Sequence, residues 1–276
     1  MNNVVVRSIS GVVFILAMLA CLMFNKFLFA GLIIFIMSVM LLEFYHITMG
    51  NSYTFSKVLA IIAAIFLFGL LFATASYHIP IRFVAFAMVP IFIVMINSLY
   101  VKDKDEYGKF SNIYTGLLYI AVPIALSNLI AFDKAGNVSG NLLLCFFIII
   151  WCSDVGAFAF GISLGKIFPQ KLFPSVSPKK TWIGFIGGLV SSVLAAFALY
   201  EFGILKFPLI HCLILSFIMS VTGVYGDLFE SQWKRVYGVK DSGKIIPGHG
   251  GFLDRFDSTL MAMPFGAIYL AIFDLL

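Results

Sequence analysis

Residues 231–258, SQWKRVYGVKDSGKIIPGHGGFLDRFDS, form a polar segment between two apolar runs at about 208–228 and 257–274. In a chain with only 11% charged residues, this segment holds a large share of the Lys, Arg and Asp side chains, together with several glycines. Glycine lets backbone N–H groups approach a phosphate, carboxylates bind hard metal ions, and Lys and Arg neutralise anions. The combination indicates phosphate chemistry.

The composition around this segment is that of a membrane protein. The chain has 276 residues, is 62% hydrophobic and has a mean hydropathy of +1.06. Ordinary soluble domains carry about 25% charged residues, more than twice the share found here. Apolar runs of about 20 residues recur along the chain, which predicts an all-α polytopic membrane protein. The net charge of +5 is attributed to loops that face anionic lipid, and no nucleic-acid partner is expected.

Nine transmembrane helices are predicted from the apolar runs. If the N-terminus is cytoplasmic, most of the 18 Lys and Arg residues fall in cytoplasmic segments, as the positive-inside rule requires. An odd number of spans then places the C-terminus outside. The predicted spans are about 9–24, 27–45, 57–77, 81–99, 113–132, 141–164, 182–203, 208–228 and 257–274.

The two halves of the chain differ in polarity. Residues 1–140, with about five helices, are predicted to be a scaffold, in which Glu43 is an ionisable residue inside an apolar run with no assigned chemistry. Residues 141–276, with about four helices and cytoplasmic loops at 165–181 and 229–256, are predicted to be catalytic. Lys57 and Lys102 lie outside the catalytic part, so alanine at either position is expected to be nearly silent.

Asp154 lies deep inside the sixth apolar run. A carboxylate at that depth costs about 3 kcal/mol on insertion scales, so it is normally paired or exposed to a wet cavity. Gly156, Gly161 and Gly165 allow close backbone approach in the same run, which fits a cavity wall. The structural alternative is an Asp that is hydrogen-bonded to a neighbouring Ser or to a broken helix.

The loop before the seventh run contains Ser177, Lys179, Lys180 and Thr181. The last three are expected at the start of a helix, where free backbone N–H groups favour an anion. We therefore interpret the loop as a phosphate-binding segment. The alternative is that both lysines only satisfy the positive-inside rule.

The eighth run leads into a charged helical stripe. On a continuing helix, Asp227, Glu230, Ser231 and Lys234 fall at i, i+3, i+4 and i+7, and hence on one face. Such a stripe fits a site at the cytoplasmic interface. It also fits an amphipathic interfacial helix, and both interpretations can hold together.

Residues 240–251 are too rich in glycine for a regular helix, which predicts a loop or a re-entrant turn. The loop leads to Asp254 and Asp257, one helical turn apart. Mg²⁺ takes oxygen ligands, usually one or two carboxylates with substrate phosphates and waters. Asp227 from one helix and Asp254 from the next can supply them, whereas His249 fits a hydrogen-bonding role better.

The order of these motifs resembles the signature of the CDP-diacylglycerol synthases, the phosphatidate cytidylyltransferases. The resemblance covers residues 150–260, with Ile183 where a Glu is expected, and the N-terminal half is similar only in hydropathy. The upstream match includes Ser153-Asp154 and residues 177–184. The downstream match comprises Ser231, Lys234, Arg235, Lys240, Asp241, Gly243, Pro247, Gly248, His249, Gly250, Gly251, Asp254, Arg255 and Asp257.

The resemblance implies an enzyme that joins CTP to phosphatidate, with a cytoplasm-facing active-site cavity in a nine-helix protein of the inner (cytoplasmic) membrane. It implies Mg²⁺ at Asp227 and Asp254, with a monovalent cation, K⁺, nearby. The lipid bilayer is an implied partner, and surfaces of small residues permit a homodimer.

Roles follow for the remaining residues. Asp154 and Asp257 are candidates for the second cation or for supporting the metal ligands. The catalytic set further includes Lys234, Arg235, Lys240, Asp241, His249 and Arg255. The substrate-binding set comprises Asp154, Ser177, Lys179, Lys180, Thr181, Ser231, Gly248, Gly250 and Gly251.

Two other functions are compatible with parts of the pattern. A midplane Asp154 and glycine-rich helices also occur in transporters and channels, although most polar residues here lie on one side. A CTP-dependent kinase of a polyprenol would also need a metal and phosphate-binding residues. Such a kinase transfers the γ-phosphate and releases CDP, so its products differ.

Overall fold

The computed structural model of the protein describes residues 25–101, 107–246 and 250–276. Nearly all regular structure in these ranges is helical. The chain divides into two compact units. The first combines Met1–Gly140 with Val239–Arg255, and the second combines Asn141–Gly238 with Phe256–Leu276.

The described part of the first unit is a helical assembly that begins with the residue Asn25. The Asn25 side chain accepts a hydrogen bond from Phe27 N at 2.7 Å, and so caps the first described helix. A π-helical turn, Leu117–Ala121, joins two of the helices, and a 3₁₀ helix, Ile81–Ala87, precedes another. The α-helices are α1 (Lys26–Met49), α2 (Thr54–Tyr77), α3 (Met88–Ser98), α4 (Tyr107–Gly116) and α5 (Val122–Ala131).

The core of the first unit is built around Tyr45 of α1. Its side chain is fully buried, and its hydroxyl donates to the Ile113 carbonyl at 3.0 Å. A Cβ atom at Gly116 would lie 2.6 Å from Tyr45 Cε1, so α4 approaches α1 this closely because position 116 has no side chain. Buried Phe29, Phe68 and Phe110 fill the surrounding space.

The second unit contains four long helices and a short β-hairpin. The hairpin strands pair antiparallel, with Lys171 opposite Thr181 and Phe173 opposite Ser177. The elements are α6 (Asn141–Ser163), β1 (Lys171–Phe173), β2 (Ser177–Thr181), α7 (Trp182–Glu201), α8 (Leu209–Val236) and α9 (Leu253–Ile272), whose first residues belong to the first unit.

Glycines let α6, α7 and α8 pack closely. A Cβ atom at Gly188 of α7 would lie 2.8 Å from the Ser153 carbonyl oxygen of α6, and one at Gly156 would overlap the Ser191 side chain. On α8, a Cβ at Gly226 would lie 2.5 Å from the Asp257 carbonyl oxygen. These close approaches fix the positions of Asp154, Asp227 and Asp257 within the second unit.

Seven helical segments among the described residues are long and apolar enough to cross a membrane. Two of them combine shorter elements: Ile81–Ser98 joins the 3₁₀ helix to α3, and Tyr107–Ala131 joins α4, the π-helical turn and α5. The chain is therefore a multi-pass membrane protein. The seven segments correspond to the second through eighth predicted spans. The first predicted span, 9–24, lies outside the described residues. The ninth corresponds to α9, which is less apolar because Asp254, Arg255 and Asp257 lie in its first two turns.

The β-hairpin differs from the all-α prediction and changes the environment of two predicted site residues. Lys179 and Lys180 lie in β2 and not at the start of a helix. The helix begins after Thr181, whose Oγ1 accepts a hydrogen bond from Gly184 N at 3.2 Å. Sequence periodicity could not indicate the hairpin because β1 has only three residues and Pro178 interrupts the strand pattern of β2.

Candidate functional site

The second unit places Lys180 of β2 against Asp227 of α8. Lys180 Nζ lies 2.6 Å from Asp227 Oδ2, and both side chains are partly exposed, at 26% and 30%. Successive residues of a strand point to opposite faces, and neighbouring Lys179 is exposed. The hairpin therefore directs one of the two predicted lysines at the carboxylate of α8.

The polar face predicted on α8 is present. Ser231 Oγ donates to Asp227 Oδ1 at 3.2 Å, and Lys234 Nζ lies 3.2 Å from Glu230 Oε1. Glu230 is 2% exposed and the Lys234 side chain 13%, so this second pair is largely withdrawn from solvent. The contacts of Asp227 are with other residues, namely Lys180 and Ser231.

Asp154 also belongs to this polar region. Ser258 Oγ donates to Asp154 Oδ1 at 3.5 Å, which joins α6 to α9 within the second unit. One residue earlier, buried Ser153 shares a 2.8 Å hydrogen bond with Ser220 of α8. The Asp154 side chain itself is exposed in the isolated chain. The hydrogen bond to a serine agrees with the structural alternative, and the exposure of the carboxylate agrees with a cavity wall, so both interpretations of Asp154 stand.

Asp257 completes a group of three carboxylates in the second unit. The charges of Asp227, Asp154 and Lys234 all act on its carboxylate. Within the described ranges, however, no group of three or more His, Cys, Asp or Glu side chains is arranged to hold a metal ion. A metal in this region would therefore draw some of its oxygen ligands from substrate phosphates and water, as Mg²⁺ commonly does.

The predicted metal ligand Asp254 lies in the first unit, in a hydrogen-bonded turn. Its Oδ2 accepts from Ser242 N at 2.8 Å, from Ser242 Oγ at 2.9 Å and from Gly251 N at 2.9 Å. Gly250 has a φ of +86°, a conformation that favours glycine. Ile246 N donates to the Gly250 carbonyl, and the described loop residues, 239–246 and 250–252, are not helical, as predicted.

Glu43 of α1 hydrogen-bonds to this turn, and no chemistry was assigned to it from the sequence. Its carboxylate accepts from Phe252 N at 3.2 Å, from Leu253 N at 2.9 Å and from Ser242 Oγ at 3.3 Å. Glu43 is 6% exposed. A carboxylate inside an apolar run was the available signal, because such a residue is costly without a partner.

The other predicted site residues fall into three groups. Arg235, Lys240, Asp241 and Arg255 are exposed, so they are accessible to polyanionic ligands. Ser177 is half-buried at the start of β2, and Thr181 is buried as the cap of α7. Gly248 and His249 lie outside the described residues.

The donor chemistry around the two predicted metal ligands suits a hard divalent cation. Asp227 and Asp254 offer carboxylate oxygens, and the hydroxyl groups of Ser231 and Ser242 lie beside them in their respective units. Mg²⁺ prefers such oxygen ligands. The residues present therefore fit the ion that the resemblance implies.

Comparisons with known proteins agree with this chemistry. The sequence profile of the cytidylyltransferase family matches residues 5–273. The phosphatidate cytidylyltransferase of Bacillus subtilis is 41% identical over 180 residues, which cover 65% of this chain and 63% of the relative. That of Staphylococcus saprophyticus is 45% identical over 124 residues, or 45% of this chain and 46% of the relative.

A third relative, the phosphatidate cytidylyltransferase of Staphylococcus aureus, is 36% identical over 173 residues, which cover 63% of this chain and 64% of the relative. The matched segments thus span less than two thirds of each relative's length. The family profile, in contrast, extends over nearly the whole chain. The chain belongs to the cytidylyltransferase family.

Proposed function

We propose that this protein is a phosphatidate cytidylyltransferase, which converts CTP and phosphatidate to CDP-diacylglycerol and pyrophosphate. A phosphate oxygen of phosphatidate forms a bond to the α-phosphorus of CTP. The bond from that phosphorus to the oxygen bridging the α- and β-phosphates breaks, and pyrophosphate leaves. The observation that carries the proposal is the Lys180–Asp227 pair, which sets a cation and a carboxylate side by side in a chain of this family.

The chemistry requires positioning more than a strong base. A phosphate monoester has a second pKa of about 6, so phosphatidate is largely dianionic at neutral pH. The main obstacle is the repulsion between two polyanions, which preorganised cations reduce. We assign phosphate contacts to Lys180 and Lys234, and further contacts to Lys179, Arg235, Lys240 and Arg255.

The carboxylates have a different role. We propose that Asp227 and Asp254 hold Mg²⁺, and that Asp154 and Asp257 support it or a second, monovalent cation such as K⁺. Bound Mg²⁺ supplies charge neutralisation at the phosphates. Asp227 is positioned by Ser231 and Asp254 by Ser242 and Gly251, so each side chain is oriented by its own unit.

We further propose the membrane arrangement that this function needs. Nine helices would cross the inner membrane, with the N-terminus in the cytoplasm, the C-terminus outside, and the polar segment facing the cytoplasmic CTP. The exposed Lys240 and Lys244 would then be accessible from the cytoplasmic side. The lipid substrate would reach the site from the bilayer.

Purified protein in detergent, incubated with CTP, Mg²⁺ and phosphatidate, tests the function. We expect phosphatidate-dependent pyrophosphate release and a lipid product with the mass of CDP-diacylglycerol. Release of CDP from a polyprenol substrate would indicate the kinase instead. Movement of a solute into liposomes without nucleotide turnover would indicate a transporter.

A further inference from the structure

The loop that leads into Asp254 is attached to the N-terminal half of the chain through a buried carboxylate. The described parts of this loop, residues 239–246 and 250–252, pack in the first unit beside α1. Glu43 is the residue of α1 at their centre, and it is 6% exposed. A buried carboxylate in an apolar helix is costly unless its oxygens are well satisfied.

The Glu43 oxygens are satisfied by the loop itself. Oε1 accepts from Phe252 N, while Oε2 accepts from Leu253 N, the first residue of α9, and from Ser242 Oγ. Within the described residues, its donors are two backbone N–H groups and one hydroxyl, with no Lys or Arg among them. Free N–H groups at a helix N-terminus stabilise a negative charge. Glu43 therefore anchors the first turn of α9.

Ser242 connects Glu43 to Asp254. Its hydroxyl lies 3.3 Å from Glu43 Oε2 and 2.9 Å from Asp254 Oδ2, and its N–H donates to the same Asp254 oxygen. Because a hydroxyl has one proton, Ser242 Oγ donates to one carboxylate at a time. It lies within hydrogen-bonding distance of both. The Asp254 N–H in turn donates to Ser242 Oγ at 3.3 Å.

Two glycines of the loop lie directly against the Glu43 carboxylate. The three atoms nearest to a Cβ built at Gly243 all belong to the Glu43 side chain, and that Cβ would overlap Oε1. A Cβ at Gly251 would overlap Ser242 Oγ and lie 2.5 Å from Glu43 Oε2. Neither glycine has a positive φ, so the backbone conformation does not require glycine at these positions. The close packing against Glu43 does require it.

We infer that Glu43 is a positioning residue for the cytidylyl transfer proposed above: through Ser242 and the first turn of α9, it fixes the loop that presents Asp254. The N-terminal half of the chain thereby contributes to the site through one carboxylate. Glu43 touches neither substrate nor reacting atoms in this role. The inference rests on the proposed function, so the test includes the wild-type reaction.

Glu43→Gln keeps the size of the side chain but replaces one acceptor oxygen with an NH₂ group that faces a backbone donor. We expect kcat/KM for CTP per folded molecule to fall about tenfold or more. We also expect the Mg²⁺ concentration for half-maximal activity to rise. The matched control is Glu201→Gln at the exposed end of α7, which should behave as wild type.

A second measurement does not depend on catalysis. Lys240 and Lys244 are exposed trypsin sites on the loop, and cleavage there reports local opening. In Glu43→Gln we expect cleavage at these two lysines to be about tenfold faster. Peptides should be identified by mass, and cleavage at Lys206 in the second unit should not change.

A suppression experiment tests the packing. Gly243→Ala should impair activity in the wild-type background, because its methyl group collides with Glu43. In a Glu43→Ala background the same substitution should have little further effect, because the colliding atoms are gone. Additive losses from the two substitutions would contradict the inferred contact.

The outcomes separate the two proposals. If the wild type forms no CDP-diacylglycerol, the proposed function fails, whereas the trypsin result still reports whether Glu43 holds the loop. If the wild type is active and Glu43→Gln matches it in kinetics and cleavage, the positioning role is refuted. A Glu43→Gln defect that only reflects a smaller folded fraction would also refute it.

Discussion

Lys180 Nζ of β2 lies 2.6 Å from Asp227 Oδ2 of α8. This ion pair therefore involves one of the two predicted metal ligands. The pair depends on the hairpin, because adjacent Lys179 points away and is exposed. A lysine beside a carboxylate can also contact the phosphates that a metal on that carboxylate would bind. The two lysines, adjacent in sequence, should therefore contribute unequally.

Alanine substitutions should reveal this difference. We expect Lys180→Ala to reduce kcat/KM about 10²-fold, the size of effect seen when one preorganised electrostatic group is removed. Lys179→Ala should cost about threefold, as expected for an exposed charge. Steady-state kinetics with CTP and phosphatidate measure both values. Equal losses would show that the hairpin does not distinguish the two side chains.

The two proposed metal ligands should respond differently to Asp→Asn substitution. Asp227→Asn should abolish turnover without changing tryptic cleavage of the loop. Asp254→Asn should abolish turnover and also accelerate cleavage at Lys240 and Lys244, because Oδ2 accepts three hydrogen bonds from the loop. Asp274→Asn is the control, since Asp274 is exposed and Asn tolerates its φ of 53°. Activity across a Mg²⁺ titration would disprove the assignment if either site variant remained near wild type.

Close packing at Gly226 should matter for activity. A methyl group there would push against the Asp257 carbonyl and shift α9 relative to α8 within the second unit. We expect Gly226→Ala to lower both kcat and the unfolding midpoint, at a cost of about 1–3 kcal/mol of stability. Gly69→Ala on α2 faces open space and should leave activity unchanged. Thermal unfolding in detergent and turnover assays compare the two variants.

Lys57→Ala should be nearly silent for turnover, as expected from the sequence, but it should lower stability. It is 8% exposed, and its Nζ donates to the Gly50 carbonyl just after α1. Lys57→Ala removes this hydrogen bond and the packing of a buried side chain, which costs about 1 kcal/mol. We expect a lower unfolding midpoint with the kcat per folded molecule retained. Lys102, the other position expected to be silent, lies outside the described residues.

The proposed orientation can be tested with the exposed loop lysines. In inverted inner-membrane vesicles, trypsin should cleave at Lys240 and Lys244. In sealed right-side-out vesicles these sites should be protected, while a tag after Leu276 should be removed. The reverse pattern would show that the polar segment faces outward and would contradict a cytoplasmic site for CTP.

The sequence by itself determined the class of protein and seven of its helices, because about 20 apolar residues in a row have few alternatives to a membrane-spanning helix. It also predicted the loop at residues 240–251 from its glycines, and the polar face of α8 from helical spacing. These features depend on local composition and periodicity, which can be read without knowing the fold.

Only the tertiary structure decided which distant side chains meet. It brought Lys180 to Asp227 through a hairpin too short to have a periodic signal, and Ser258 to Asp154 across two helices. It also placed Glu43 beside Ser242, Phe252 and Leu253, about 200 positions later in the chain. Such pairings depend on how helices pack at close-approach glycines, and a single sequence does not specify which faces come together.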